Sequence, residues 1–292
     1  VIPDAINYLY AISWGILVFP FFLVFRYVAD GLSHTRITMY ISFLGLFLNI
    51  PFNYILMFGK FGFPALGVQG CGYASALVIL IQTVAFGLVM LKHRWFRDLE
   101  VFSHFEKVDK QVIFKVLSIG VPIGIALFAE GGFFSAVTMI ASSLSPDVIA
   151  AHQISLNFAS FMFMIPLGMS MAITVRVGNA VGRKSAIETR RAGMIGIGMI
   201  FIIQIITAMT IFLFKESIVE LYTGAEAVQV VAVQLLLFAA AFQISDGVQV
   251  AGAGALRGIQ DTTFLMYATT IAYWGFGLAC SWWFCFEKKY GC

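Results

Sequence analysis

The chain has 292 residues, 60% of them hydrophobic and 11% charged, with a mean hydropathy of +0.92. Soluble domains carry about 25% charged residues and are about half apolar, so this balance excludes an ordinary soluble fold. A formal net charge of +3 is too small to point to a nucleic-acid partner.

Charged residues cluster, and cutting the chain at the clusters leaves eight candidate spans. In chain order they cover residues 5–25, 37–58, 68–91, 116–141, 150–175, 192–214, 228–256 and 264–286. Each is long enough for a hydrocarbon core, which takes about 20 apolar residues at about 1.5 Å each. The repetition of such stretches excludes a secretory signal, and their unbroken apolarity excludes a transmembrane β-barrel. In lipid the backbone must satisfy its own hydrogen bonds, so the expected class is all-α, a polytopic transmembrane helix bundle. Pro20, Pro51, Pro122 and Pro166 fall near or inside spans, which is tolerable where neighbouring helices re-satisfy the freed carbonyls.

The longest connection, residues 92–115, has the mixed charge of a solvated linker. It is expected to join a first part, residues 1–91 with three helices, to a second, residues 116–292 with five. Basic residues set the orientation, because cytoplasmic loops retain them. Arg26, Arg36, the basic residues of the linker, Arg176, Arg183, Lys184, Arg190, Arg191 and Arg257 fall on one side; Lys60, Lys215, Lys288 and Lys289 fall on the other. The linker and the loops near residues 30, 183 and 259 are therefore expected to be cytoplasmic.

One internal repeat stands out. Gly31, His34, Thr35, Met39 and Tyr40 align at one constant offset with Gly258, Asp261, Thr262, Met266 and Tyr267. Both segments are the cytoplasmic exit of one span and the entry of the next, as two parallel repeats require. Restoring symmetry would take three further spans before Val1 and one after Cys292. The chain then reads as a fragment, eight helices of a two-lobed, twelve-helix whole.

The acidic residues lie in loops or at span ends, with two exceptions. Glu130 lies about 22 Å of helix beyond Lys115, and Asp246 about 16 Å from Arg257, both well inside the core. An ionised side chain there costs at least about 2.5 kcal/mol, and no lysine or arginine occupies a similar depth. Each acid must therefore be protonated, hydrated in a cavity or bound to a small cation; the bland alternative is a hydrogen bond between helices. Each is followed by glycine (Gly131 and Gly132, and Gly247), which permits either local unwinding or close helix packing. On the fifth span Gln153 and Asn157 share a face and can line a wet cavity, with interhelical hydrogen bonding as the alternative. His152 lies near the outer interface, as a satisfied interfacial histidine or a proton relay.

Gly252, Gly254 and Gly258 do not have nucleotide-loop spacing and read as helix-packing residues. The four cysteines contain no CxxC pair, so neither zinc nor a disulfide framework is indicated. Walker, HExxH and nucleophile-elbow motifs are absent, so the sequence contains no visible machinery for ATP hydrolysis or covalent catalysis.

Several short motifs in order resemble one family. They are Asn53-Tyr54, Gly59-Lys60-Phe61-Gly62, Gly67 to Gly72, Ala129-Glu130 before Phe133-Phe134, and Ala150-Ala151-His152-Gln153 with Asn157. Arg176-Val177-Gly178, Asp246-Gly247-Val248-Gln249, Leu256-Arg257-Gly258 and Asp261-Thr262 follow. Their order and spacing resemble the multidrug and toxic compound extrusion (MATE) transporters, NorM-type branch. The resemblance implies two six-helix lobes in the cytoplasmic (inner) membrane, working as a monomer among lipids. It implies a secondary transporter rather than an enzyme, exporting small amphipathic organic cations in exchange for Na⁺ or H⁺, with no cofactor beyond the coupling ion. Glu130 and Asp246 match the family's cation-coupling carboxylates and would be the ligands if the ion is Na⁺. Phe133, Phe242 and Gln249 would line the substrate cavity beside Gln153 and Asn157. In some relatives the residue matching Phe242 is a cation-ligating tyrosine; phenylalanine has no oxygen, which leaves Na⁺ and H⁺ both open. The alternatives are a lipid-linked oligosaccharide flippase of the same superfamily, which should carry intramembrane basic residues, and a membrane receptor or enzyme.

Overall fold

A computed structural model describes residues 2–93, 96, 109–142 and 146–283. The chain divides into two compact units, Val1–Val108 and Asp109–Cys292. All but three of the linker residues expected at 92–115 that precede Asp109 lie outside the described residues; Lys92, His93 and Phe96 are the exceptions.

The first unit holds α1 (Ile2–Gly31), α2 (Thr35–Phe58) and α3 (Gly67–Lys92). Phe22, Ala29, Ile41, Phe86 and Met90 form its core. The second holds α4 (Lys110–Ser142), α5 (Pro146–Gly182), α6 (Ala186–Glu220), α7 (Glu226–Gly258) and α8 (Thr262–Thr270). A π-helical segment, Ile271–Gly277, continues α8 into α9 (Leu278–Trp282). Helices α1 to α7 are long and apolar enough to cross a membrane. They outrun the apolar windows read from sequence, because helix continues into the polar residues at each end. The last residues of the expected eighth span, 284–286, lie outside the described residues. Large apolar side chains such as Phe47, Phe128, Phe238 and Phe276 remain exposed, as expected where the solvent is lipid rather than water.

Three turns close the ends expected to be cytoplasmic, and they share one geometry. Ser33, Lys184 and Gln260 each take a left-handed conformation, with φ of 63°, 55° and 64°. The next residue in each turn returns a backbone bond to the helix: His34 to Ala29, Ser185 to Ala180 and Asp261 to Leu256. Each left-handed residue also bonds back, to Asp30, Val181 and Arg257. This is the paired closure of a Schellman motif, which satisfies the last helical carbonyls. The first and third turns lie at the repeat offset seen in the sequence, so the match extends to backbone hydrogen bonds. Two of the following helices are capped by a side chain: Ser185 accepts from the Glu188 N–H at 3.3 Å, and Asp261 from the Phe264 N–H at 3.3 Å.

In the second unit α7 lies against both α5 and α6. Four interhelical bonds share one device across the two units. Gln82 donates to the Ile41 carbonyl (3.0 Å), Gln204 to that of Gln243 (2.7 Å), Ser170 to that of Val250 (2.7 Å), and Thr174 to that of Gly254 (2.8 Å). Four residues after each accepting carbonyl stands a glycine: Gly45, Gly247, Gly254 and Gly258. A helical Cβ tilts toward the N-terminus and would lie beside the carbonyl one turn back. Its absence opens that oxygen to a second donor.

The arrangement makes a sharp contrast between two neighbouring glycines. A Cβ on Gly254 would meet the Ser170 hydroxyl at 2.5 Å and its carbonyl at 2.6 Å, whereas one on Gly252 would meet nothing within 4 Å. Gly254→Ala should therefore lower thermal stability in detergent, losing a bond worth about 0.6 kcal/mol and forcing the seam apart at a further cost of about 1–3 kcal/mol. Gly252→Ala should hold or raise it by up to about 1 kcal/mol through helix propensity. Equal unfolding midpoints for the two variants would refute the seam.

Candidate functional site

The second unit contains two adjoining cavities. The smaller, about 460 Å³, lies among α4, α5, α7 and α8. Both intramembrane acids line it, Glu130 from α4 and Asp246 from α7. The larger, about 980 Å³, shares Phe134, Leu156, Phe242 and Gln249 with the first and adds Phe133, His152 and Tyr273. Of the residues expected from sequence, Glu130, Asp246, Phe133, Phe242 and Gln249 thus converge on connected space.

Gln153 and Asn157 do not. Both lie on the exposed side of α5 and line neither cavity. Asn157 accepts a hydrogen bond from the Tyr222 hydroxyl at 3.0 Å instead. The face of α5 that lines the cavities carries Leu156, Ala159, Ser160 and Phe163. Shared helical register placed Gln153 and Asn157 together but could not say which face turned inward. His152 lines the larger cavity, its Nε2 3.5 Å from the Thr138 hydroxyl.

A basic residue shares the site. Arg257 lines the smaller cavity with the two acids, although its position in the last turn of α7 reads as cytoplasmic. The Cβ of a helical residue points back toward the helix N-terminus, and Arg257 lies three turns after Asp246 on the same side of α7. Its charge is close enough to interact with that of Glu130.

The cavity wall is unusually rich in unsatisfied polar atoms. Asp246 is 6% exposed and its Oδ1 has no hydrogen-bond partner. Gln243, one turn away, is 1% exposed and neither atom of its side-chain amide is paired. The Nε of Arg257 is likewise buried and unpaired. Buried polar groups are normally paired, so such a concentration marks a place built for something other than stability.

The π-helical segment aims two aromatic residues at this region. Wide helical turns of this kind are rare and often mark functional sites. The Trp274 indole donates to the Ala129 carbonyl at 2.9 Å, directly before Glu130. Tyr273 donates to the Gln249 side-chain oxygen at 3.0 Å and packs against Phe133 and Phe134. Two glycines make the contact reciprocal: Trp274 lies over Gly132, and Phe133 over Gly277. Gly132 is thus a packing residue, as is Gly247 under Gln204. Sequence reading missed Gln243, Tyr273 and Trp274. Gln243 was accessible through its i, i+3 spacing from Asp246; the aromatic pair carried no signal without the π segment.

Chemically, the smaller cavity offers the carboxylates of Glu130 and Asp246 and the amide oxygens of Gln243 and Gln249, all hard donors suited to Na⁺ or to a proton. No group of three or more His, Cys, Asp or Glu side chains that could hold a metal ion occurs among the described residues. The apolar wall, with Phe134, Phe163 and Phe242, suits the body of an amphipathic ligand.

If the Gln243 amide is held unpaired for function, its removal should stabilise the protein. Gln243→Met, close in volume, should raise the unfolding midpoint by the equivalent of about 1–3 kcal/mol. An unchanged or lowered midpoint would show that the amide is already satisfied.

The chain matches the MatE family profile over residues 1–55 and 122–283. It is 41% identical over 278 residues to the probable multidrug resistance protein NorM of Xanthomonas campestris pv. campestris, covering 95% of this chain and 61% of that protein. It is 40% identical over 274 residues to the multidrug resistance protein MdtK of Yersinia enterocolitica, covering 94% and 60%. The chain therefore spans about three fifths of the length of these relatives. Among solved structures, an outward-facing multidrug resistance MATE family transporter of the MOP superfamily superposes with a TM-score of 0.85 at 18% identity, over 96% of this chain and 62% of that one. A MOP superfamily transporter from Pyrococcus furiosus superposes with a TM-score of 0.83 at 19% identity, over 98% and 63%.

Proposed function

Because the chain belongs to the MatE family, a helical membrane-protein family, we propose that it is part of an antiporter exporting amphipathic organic cations across the cytoplasmic membrane, driven by Na⁺ or H⁺. One observation carries the reading: two carboxylates from different membrane-length helices, Glu130 and Asp246, face a single largely apolar cavity. The names of the relatives, multidrug resistance proteins, support the same class of activity.

An ionised carboxylate at this depth is costly alone and becomes acceptable when a cation neutralises it. A site that takes either a coupling ion or a cationic substrate uses that cost for exchange, because each arrival favours departure of the other. Glu130 and Asp246 are the ion-binding groups in this scheme. Phe134 and Phe242 supply nonspecific apolar contact and a face for cation–π attraction, which favours breadth over tight selectivity. Gln249, held by Tyr273, adds a neutral oxygen between the two cavities. The flippase reading is disfavoured by charge: one guanidinium against two carboxylates is the wrong balance for a pyrophosphate-linked lipid.

The test is transport in proteoliposomes. Glu130→Gln in the full-length protein should keep expression and folding but abolish dye efflux driven by an imposed Na⁺ or H⁺ gradient. Undiminished efflux would remove Glu130 from the mechanism, and a wild-type protein that moves no cationic dye under either gradient would refute the antiporter reading.

A further inference from the structure

Arg257 fits a simple cation site poorly, since a cavity meant only to receive positive charge has no use for one of its own. The two units show how the same turn position is treated when nothing of the kind is needed. At the repeat offset Asp30 corresponds to Arg257, and Arg26 to Ala253. In the first unit the charge is neutralised locally. Asp30 lies 3.6 Å from Arg26 on its own helix and accepts a 2.7 Å hydrogen bond from Thr38. In the second unit Ala253 supplies no charge one turn back. The acid one turn ahead, Asp261, serves as the N-cap of α8. The ion pairs seen among the described residues, Arg26–Asp30 and Arg183–Glu188, do not include Arg257.

The charges facing the smaller cavity can be stated completely for its described lining. Helix α4 contributes Glu130, and α7 contributes Asp246 and Arg257. The lining residues from α5 and α8, such as Ser160, Phe163, Leu265 and Thr269, are not ionisable, and the titratable groups of the adjoining cavity, His152 and Tyr273, add no charge in their neutral forms. With both acids ionised the cavity holds one uncompensated negative charge. In surroundings this apolar a residual charge of either sign is expensive, so occupancy is governed by neutrality.

We propose that Arg257 is a tethered counter-cation that sets the capacity of the Glu130–Asp246 cavity at one positive charge. The cavity then accepts one coupling ion or one monovalent organic cation, and never both together. Arg257 thereby makes the exchange obligatory. Without its charge the two acids would carry two uncompensated negative charges, and coupling ion and substrate could be held at the same time. The guanidinium need not touch either ligand, because it acts through the charge balance of the cavity. The inference rests on the antiporter reading, since it requires the carboxylates to take cations, and adds to it the residue that fixes how many.

The experiment measures binding of tetraphenylphosphonium to purified full-length protein at rising Na⁺ and, separately, at falling pH. In the wild type whichever ion couples should raise the apparent Kd without limit, as simple competition requires. In Arg257→Gln the affinity should rise about tenfold as one more negative charge becomes available. The competition should also saturate, with ion and probe bound together. Arg257→Lys, which keeps the charge, should restore open-ended competition, an outcome that a purely structural role for the guanidinium would not produce. Open-ended competition and unchanged affinity in Arg257→Gln would overturn the proposal. If that variant does not fold, the wild type still decides, because simultaneous occupancy by coupling ion and probe in the unmodified protein overturns it equally. Failure of the underlying reading looks different. A wild type that binds no probe, or binds it unaltered by Glu130→Gln, sinks the antiporter assignment and this inference with it. Binding that Glu130→Gln abolishes and Arg257→Gln leaves alone sinks only the inference.

Discussion

A helix carbonyl that already bonds its own backbone accepts a second hydrogen bond most readily where its free side is left open. In this protein a glycine four residues on provides that opening, at Gly45, Gly247, Gly254 and Gly258, and a side chain from a neighbouring helix fills it. Three of these four contacts fall on α7. Each bond is worth only about 0.6 kcal/mol in a membrane setting, but together they fix how α7 is rotated between α5 and α6. That rotation decides everything about the cavity. Gly247, Gly254 and Gly258 lie on one stripe of α7, and the next stripe carries Phe242, Asp246, Gln249, Ala253 and Arg257. Locking the first against its neighbours turns the second toward α4 and α8.

The cavity follows the opposite rule from the seam. Along the seam every donor finds an acceptor; in the cavity Gln243, Asp246 and Arg257 have buried polar atoms with none. Local rules are broken where a protein holds groups ready for a ligand, and the stability lost there is made up elsewhere. Here the well-satisfied seam and the apolar core of Ile211, Val219, Ala232 and Leu236 adjoin the poorly satisfied site along the same helix. The π-helical segment belongs to the site as well, since a regular helix would not present Tyr273 and Trp274 to Gln249 and Ala129 in this way.

The repeated Schellman turns connect sequence and structure at a finer level than the spans do. Five matching residues near positions 31 and 258 were suggestive in a chain of biased composition. The backbone bonds at Ser33 and Gln260 match residue for residue, although neither left-handed position is glycine. The same comparison exposes the difference between the halves, because Asp30 is neutralised on its own helix and Arg257 is not. Repetition of the turn with inversion of its charge is what singles out Arg257.

Much of the architecture was legible in the residues alone. Runs without charge declare membrane-length helices because lipid tolerates no unpaired backbone, and helical rise converts position into depth, which is why Glu130 and Asp246 stood out. Depth along a helix is a one-dimensional quantity, and it is written in the sequence. Facing is not. Gln153 and Asn157 share a face of α5, yet that face turns away from the cavities. Arg257 lies at a helix end by count, yet its side chain reaches back into the site. Gln243 and Trp274 acquire roles only from what packs beside them. Sequence determined which residues could lie in the membrane and how deep. The tertiary structure alone decided which met, because rotation about each helix axis is set by contacts with neighbouring helices, and those contacts are not local in the chain.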